Sequence, residues 1–200
     1  MMRGPFPTAR WVRPVIFMLG LLPLLHLVGL GLTGGLGVNP IEFVTRSLGT
    51  WALTFLWLSL AMTPLRRLTG DGRCLRYRRM LGLYAFFYAL LHWLSYVWLD
   101  QFFDVGEILR DLVKRPFIAA GMTAFLLLLP LALTSTDAAM RRLGRVWRRL
   151  HRLVYPAAVA ALLHYFWLVR LDYTPPAIYA LTLLLLLLMR WPGSFGRRHK

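Results

Sequence analysis

The chain is poor in the groups that most soluble enzymes rely on. Its 200 residues include one cysteine, Cys74, and eight acidic side chains against 24 lysines and arginines. A single cysteine excludes an intrachain disulfide framework. No His-Glu-x-x-His occurs, so the helical zinc-hydrolase motif is missing. The nearest approach to a serine-hydrolase pattern, Pro192-Gly193-Ser194-Phe195-Gly196, has no histidine arranged for it. No acid falls inside an apolar run, so a carboxylate proton relay within a membrane has no residues to use.

Apolar sequence fills the space. Hydrophobic residues make up 58% of the chain, and the mean hydropathy is +0.56. Six apolar segments stand out, at 14–32, 48–64, 80–99, 117–133, 153–169 and 176–189. Each approaches the ~20 residues that cross ~30 Å of hydrocarbon, and the shorter ones must borrow a flanking turn. The expectation is an all-α integral membrane protein, a six-helix transmembrane bundle in one domain over residues 1–200. The first apolar run lacks a small-residue cleavage site and reads as an uncleaved helix.

The net charge of +16 would suit nucleic acid, but its placement does not. Nineteen of the 24 basic residues lie in the N-terminal segment, the second loop, the fourth loop and the C-terminal segment. The remaining loops hold the other five and six of the eight acids: Glu42, Asp100, Asp104, Glu107, Asp111 and Asp172. By the positive-inside rule both termini are cytoplasmic, and an odd number of spans would break the alternation. No soluble basic domain remains to bind nucleic acid.

Two connections carry structure of their own. Ser135-Thr136-Asp137 is a helix-start signal, followed by Met140, Leu143, Val146, Trp147 and Leu150 at three- and four-residue steps. That pattern predicts a helix at the cytoplasmic interface leading into the fifth span. The mixed-charge stretch 100–116 predicts a short external helix stopped before Pro116. No internal repeat stands out.

Five histidines remain to be explained. His199 lies in the basic tail and reads as solvated. His26, in the first span, has no second feature beside it and can simply hydrogen-bond across a bundle. His92 and His164 are linked by depth. His92 lies thirteen residues beyond Arg79, and His164 thirteen beyond His151, so each sits about 20 Å from the cytoplasmic edge. Two neutral imidazoles at one depth on helices running the same way can share a metal, and in an apolar surround the metal centre that suits them is haem iron. No Cys-x-x-Cys-His is present, so such a haem would not be covalently attached. Leu91, Trp93, Tyr96, Leu163, Tyr165 and Phe166 could wall a porphyrin, although such aromatics are often plain helix packing. His151 lies nearer the cytoplasm and, on a straight helix, faces away from His164. Pro156, between them, can turn the segment. The level of His151 on the third span holds Arg78 and Arg79, so His151 is open to three roles: a lone ligand, a propionate partner or a cofactor contact. The cytoplasmic arginines serve topology, and some could also hold a phosphate-bearing cofactor or haem propionates.

Five quoted stretches, in order, resemble one family: GLGVNPIEFVTRSLGTWAL with AMTPLRR, then RRMLGLYAFFYALLHWLSY, LTSTDAAMRRLGRVWRRLHRLVY and LLHYFW. The chain resembles the MsrQ (YedZ) family of haem-binding membrane subunits, which partner the periplasmic methionine sulfoxide reductase MsrP, and the wider ferric-reductase-like transmembrane domain. The resemblance implies b-type haem, one or two copies, in the bacterial inner membrane. It implies electron delivery to a periplasmic molybdenum enzyme, with quinone or a cytoplasmic flavin reductase as donor, and FMN as a second cofactor. It maps the iron ligands onto His92, His151 and His164. Arg78 and Arg79 stand where the wider family has a fourth histidine. The leading expectation is an electron-transfer subunit rather than the catalytic one. The alternatives are a stand-alone ferric or cupric reductase of the same fold, and a non-redox histidine-bearing transporter.

Overall fold

The computed structural model describes residues 11–190, and no strand occurs among them. Among the described residues nine α-helices follow one another: α1 Val12–Thr33, α2 Pro40–Thr69, α3 Leu75–Ser95, α4 Val105–Lys114, α5 Pro116–Leu133, α6 Asp137–Leu143, α7 Arg145–Leu150, α8 Val154–Leu168 and α9 Thr174–Leu188. Short 3-10 turns precede α3, at Gly72–Cys74, and α8, at His151–Leu153. A π-helical turn, Tyr96–Asp100, prolongs α3.

The helix boundaries follow local chemistry. Asn39 caps α2 by accepting the Glu42 N–H, with Pro40 in the first turn where its missing N–H costs nothing. Asp104 and Thr136 cap α4 and α6 in the same way. Gly34 and Gly70 end α1 and α2 in the left-handed conformation. The expected interface helix is two pieces rather than one: Gly144, at φ 47 and ψ −112, breaks it between Leu143 and Arg145. The π-helical turn is followed by Phe102 and Phe103, both at positive φ.

Among the described residues four segments are long and apolar enough to cross a bilayer: Val12–Thr33, Pro40–Thr69, Gly72–Asp100 and Pro116–Leu133. The 15-residue helices α8 and α9 match the fifth and sixth apolar segments, though each rises only about 22 Å. α8 gains length from the 3-10 turn and α7, which run into it.

Two antiparallel pairs, α2–α3 and α5–α8, hold the largest share of contacts between helices. The core is Leu53, Leu56, Leu60, Tyr84, Ala85 and Tyr88 from the first pair, met by Leu128, Leu131, Ala157 and Ala158 from the second. In lipid the hydrophobic effect does not drive helices together, so close packing and hydrogen bonds must. Phe55 stacks on Tyr84 and Tyr88 at 5.2 and 5.3 Å. Tyr88 Oη donates to the Gly20 carbonyl at 2.8 Å and accepts the Leu24 N–H at 3.2 Å, tying α1 to α3. Trp57 Nε1 donates to the Tyr179 carbonyl at 3.1 Å and fixes α9 against α2. Pro64 lies inside α2 and cannot offer an N–H to the Leu60 carbonyl one turn back. The Arg190 guanidinium donates to that carbonyl instead, and also to Tyr155 Oη at 2.7 Å.

A histidine pair between two repeated helix hairpins

His92 on α3 and His164 on α8 face each other, their ring centroids 5.9 Å apart and their planes at 72°. Each ring is held from behind by the helix paired with its own. His92 Nδ1 lies 2.8 Å from the Thr45 carbonyl on α2, and His164 Nδ1 lies 2.6 Å from the Phe117 carbonyl on α5. A carbonyl only accepts, so Nδ1 carries the proton in both rings and both Nε2 lone pairs are free. An Nδ1–H held by a carbonyl is the usual arrangement behind a metal-bound imidazole.

The two halves of this site share one geometry at a 72-residue offset. His164, Phe117 and Gly121 each follow His92, Thr45 and Gly49 by 72 residues. The same step relates Ala89-Leu90-Leu91-His92 to Ala161-Leu162-Leu163-His164, and Gly72, Arg73 and Arg76 to Gly144, Arg145 and Arg148. No internal repeat stands out in the sequence, and this offset becomes visible only once the two histidines are seen to be held alike. The identities are few and scattered through apolar sequence that resembles itself at any offset. In the second half, α6 occupies the register of the last turns of α2.

His151 is not brought to the pair. It opens the 3-10 turn before α8, stacked on Trp147 with ring centroids 3.9 Å apart, and its Nε2 lies 3.2 Å from Thr134 Oγ1. Burial, and then the Arg78 cation, hold its pKa below the ordinary imidazole value. Pro156 sits in the first turn of α8, where its missing N–H removes no hydrogen bond from within that helix. In the 72-residue register the counterpart of His151 is Arg79, whose guanidinium pairs with Asp137. His26 is exposed on α1, and His199 lies outside the described residues.

The expected aromatic wall is occupied largely with helix packing. Tyr165 meets Tyr179 edge-on at 5.9 Å, Phe166 stacks on Tyr173, and Tyr96 donates to Asp111 Oδ2 at 3.1 Å. Trp93 stacks on Phe125 at 5.4 Å, and its Nε1–H is buried with no partner among the described residues.

The donor set limits what the pair can hold. Among the described residues no group of three or more histidine, cysteine or carboxylate side chains gathers. Two imidazoles alone underfill a tetrahedral zinc site. They do complete an iron whose other ligands come from a macrocycle. With metal–nitrogen bonds of about 2.0 Å, two imidazoles on opposite sides of one ion have centroids about 6 Å apart, which is the spacing seen. The residues fit haem iron. Sequence reasoning found the two histidines by depth. It missed Thr45 and Phe117, which share no side chain across the 72-residue step, and Gly49 and Gly121, which do.

Comparison with known proteins shows the family. Residues 48–162 match the family described as ferric reductase like transmembrane component. The chain is 48% identical to the protein-methionine-sulfoxide reductase heme-binding subunit MsrQ of Herminiimonas arsenicoxydans, over 97% of this chain and 90% of that one. It is 54% identical to the MsrQ of Azospira oryzae, over 88% of this chain and 76% of that one. Against the MsrQ of Ralstonia nicotianae it is 49% identical, over 95% of this chain and 91% of that one. No solved structure matches. With a family match spanning more than half its length and near-full-length relatives at about half identity, the chain belongs to the MsrQ (YedZ) family of ferric-reductase-like multi-pass membrane proteins.

Proposed function

We propose that the chain is the b-type haem subunit of a methionine sulfoxide reductase system and passes electrons across the bacterial inner membrane. The supporting observation is the pair His92–His164, with both Nδ1 atoms committed to backbone carbonyls and both Nε2 atoms free at a spacing that suits one iron. Haem bound there supplies one-electron chemistry. The chain's own part is to hold two neutral imidazoles rigidly, and to surround them with apolar side chains that disfavour added charge.

In this reading six spans cross the membrane with both termini cytoplasmic, so the pair lies toward the outer half. The acceptor is a periplasmic molybdopterin methionine sulfoxide reductase of the MsrP kind. Quinone or a cytoplasmic flavin reductase supplies the electrons, and FMN is a second cofactor. His151 contacts a group at the cytoplasmic level, as a ligand or a propionate partner. Its partner across the repeat is Arg79, which cannot ligate iron.

The visible spectrum of the detergent-purified chain, oxidised and dithionite-reduced with haem supplied in excess, tests the reading. A Soret band with low-spin reduced peaks is expected, and their absence overturns it. Reduction of ferric chelates by the reduced chain, with no electron transfer to a molybdenum partner, would instead make the chain a stand-alone reductase.

A further inference from the structure

Each imidazole of the pair lies against a glycine. A Cβ added at Gly49 would come within 3.1 Å of His92 Nδ1 and Cε1, and one at Gly121 within 2.8 Å of His164 Nδ1. Thr45 and Gly49 are one turn apart on one face of α2, as are Phe117 and Gly121 on α5. So one turn of helix supplies the carbonyl that grips the ring, and the next supplies a bare Cα on which the ring rests. The histidine can back onto the helix only because no side chain is there. Not every glycine in the bundle is confined like this. Gly29 in α1 would meet nothing within 4 Å, and Gly82 in α3 only Ser59 Oγ at 3.4 Å.

We propose that Gly49 and Gly121 are positioning residues for the two iron ligands. Their bare Cα atoms set how far each imidazole withdraws from the midpoint, and keep its Nδ1–H within reach of the carbonyl one turn away. The proposal rests on the reading that His92 and His164 hold haem iron. A methyl group at Gly121 has no route of escape. The ring in its way is fixed by the 2.6 Å bond to the Phe117 carbonyl, so the ring must tilt or that bond must lengthen. A weaker Nδ1–H bond makes the imidazole a poorer electron donor to the metal, which disfavours the oxidised state and raises the reduction potential. Because the contact at Gly121 is the closer of the two, its substitution carries the larger effect.

The test compares Gly49→Ala, Gly121→Ala and the control Gly29→Ala in the full chain, each purified with haem. Two readouts are taken: the low-temperature EPR spectrum of the oxidised protein and the reduction midpoint. Gly121→Ala is expected to move the low-spin EPR signal or convert part of it to high spin, and to raise the midpoint. Gly49→Ala should do the same to a lesser degree, and Gly29→Ala should match wild type. If the glycines served helix packing only, haem yield would fall while the signal and midpoint of the bound fraction stayed at wild-type values, which overturns the proposal. Should Gly121→Ala not accumulate, Gly49→Ala decides by the same readouts. A wild-type chain with no low-spin signal overturns the haem reading and this proposal together, whereas a wild-type signal unmoved by both alanines overturns this proposal alone.

Discussion

His92 and Thr45, 47 residues apart, are joined across α2 and α3 by a 2.8 Å bond from Nδ1–H to the backbone carbonyl. The acceptor is main chain, so no substitution at Thr45 removes it, and the ring keeps one tautomer. His92 therefore offers Nε2 alone to a ligand. The same holds for His164 and Phe117.

Removing either imidazole should abolish six-coordinate low-spin haem, since among the described residues no third histidine, cysteine or carboxylate gathers with the pair to replace it. His92→Ala and His164→Ala, reconstituted with excess haem, are expected to lose the low-spin spectrum entirely and to regain part of it with added free imidazole. His26→Ala, at an exposed position on α1, should leave the spectrum unchanged. Retention of the low-spin spectrum by either pair variant would show that the ligands lie elsewhere.

Much of this was legible in the sequence. Helix positions were, because apolar runs bounded by arginine clusters and caps have few other ways to fold in a membrane. The partnership of His92 with His164 was, because counting residues from the cytoplasmic edge gives depth. What depth counting leaves out is rotation about each helix axis. Rotation decides that Trp93 turns to Phe125 and that Tyr165 turns to Tyr179 rather than to the site. The carbonyls of Thr45 and Phe117 carry no side-chain signature at all. Gly49 and Gly121 looked like two more small residues among the 16 glycines until the register of the repeat set them behind the histidines. Likewise, nothing in the run of leucines announced that Arg190 would answer a vacancy created by Pro64.

That last relationship can be tested by a double-mutant cycle. Arg190 donates to the Leu60 carbonyl, which Pro64 leaves without a helical partner. Arg190→Ala strands that carbonyl and is expected to cost about 1–3 kcal/mol. In a Pro64→Ala background the helix can supply its own N–H to Leu60, so the same Arg190→Ala change should cost markedly less. Thermal unfolding in detergent measures all four corners. Equal costs in both backgrounds would mean that Arg190 acts through Tyr155 alone.

Acid should loosen the interface helix α6. Asp137 opens α6 and pairs with Arg79 on α3. The hydrogen bond from Arg79, and then its charge, hold the Asp137 carboxyl below the usual carboxylate range. In that window the unfolded chain binds the extra proton, so stability rises with pH there. The contribution is present above the ordinary carboxylate pKa of about 4 and is lost as pH falls through the lower folded value. The pair is exposed, so the effect is small and screened by salt. Asp137→Asn should melt earlier than wild type at pH 6 in low salt, and the gap should close as pH is lowered to 3. A gap independent of pH and salt would assign the difference to something other than the Asp137 charge and overturn the role given to the pair.

Two substitutions at the α1–α3 contact should differ in severity. Tyr88 is fully buried, and its hydroxyl bridges the Gly20 carbonyl and the Leu24 N–H. Tyr88→Phe removes the bridge but leaves two backbone groups that can bond each other as an ordinary helical rung. The loss should stay near the ~0.6–2 kcal/mol found for hydrogen bonds between membrane helices. Gly20→Ala offers no such recovery. Its Cβ would come within 2.5 Å of the Tyr84 ring, and that ring is itself stacked on Phe55 and bonded through its hydroxyl to the Phe17 carbonyl at 2.6 Å. The ring cannot swing away without breaking both contacts, so α1 must lift off α3, at a cost of about 1–3 kcal/mol. Cross-linking of cysteine pairs placed on α1 and α3 should fall more in Gly20→Ala than in Tyr88→Phe. The reverse order would mean that the hydroxyl bridge, and not the close approach at Gly20, holds α1 in place.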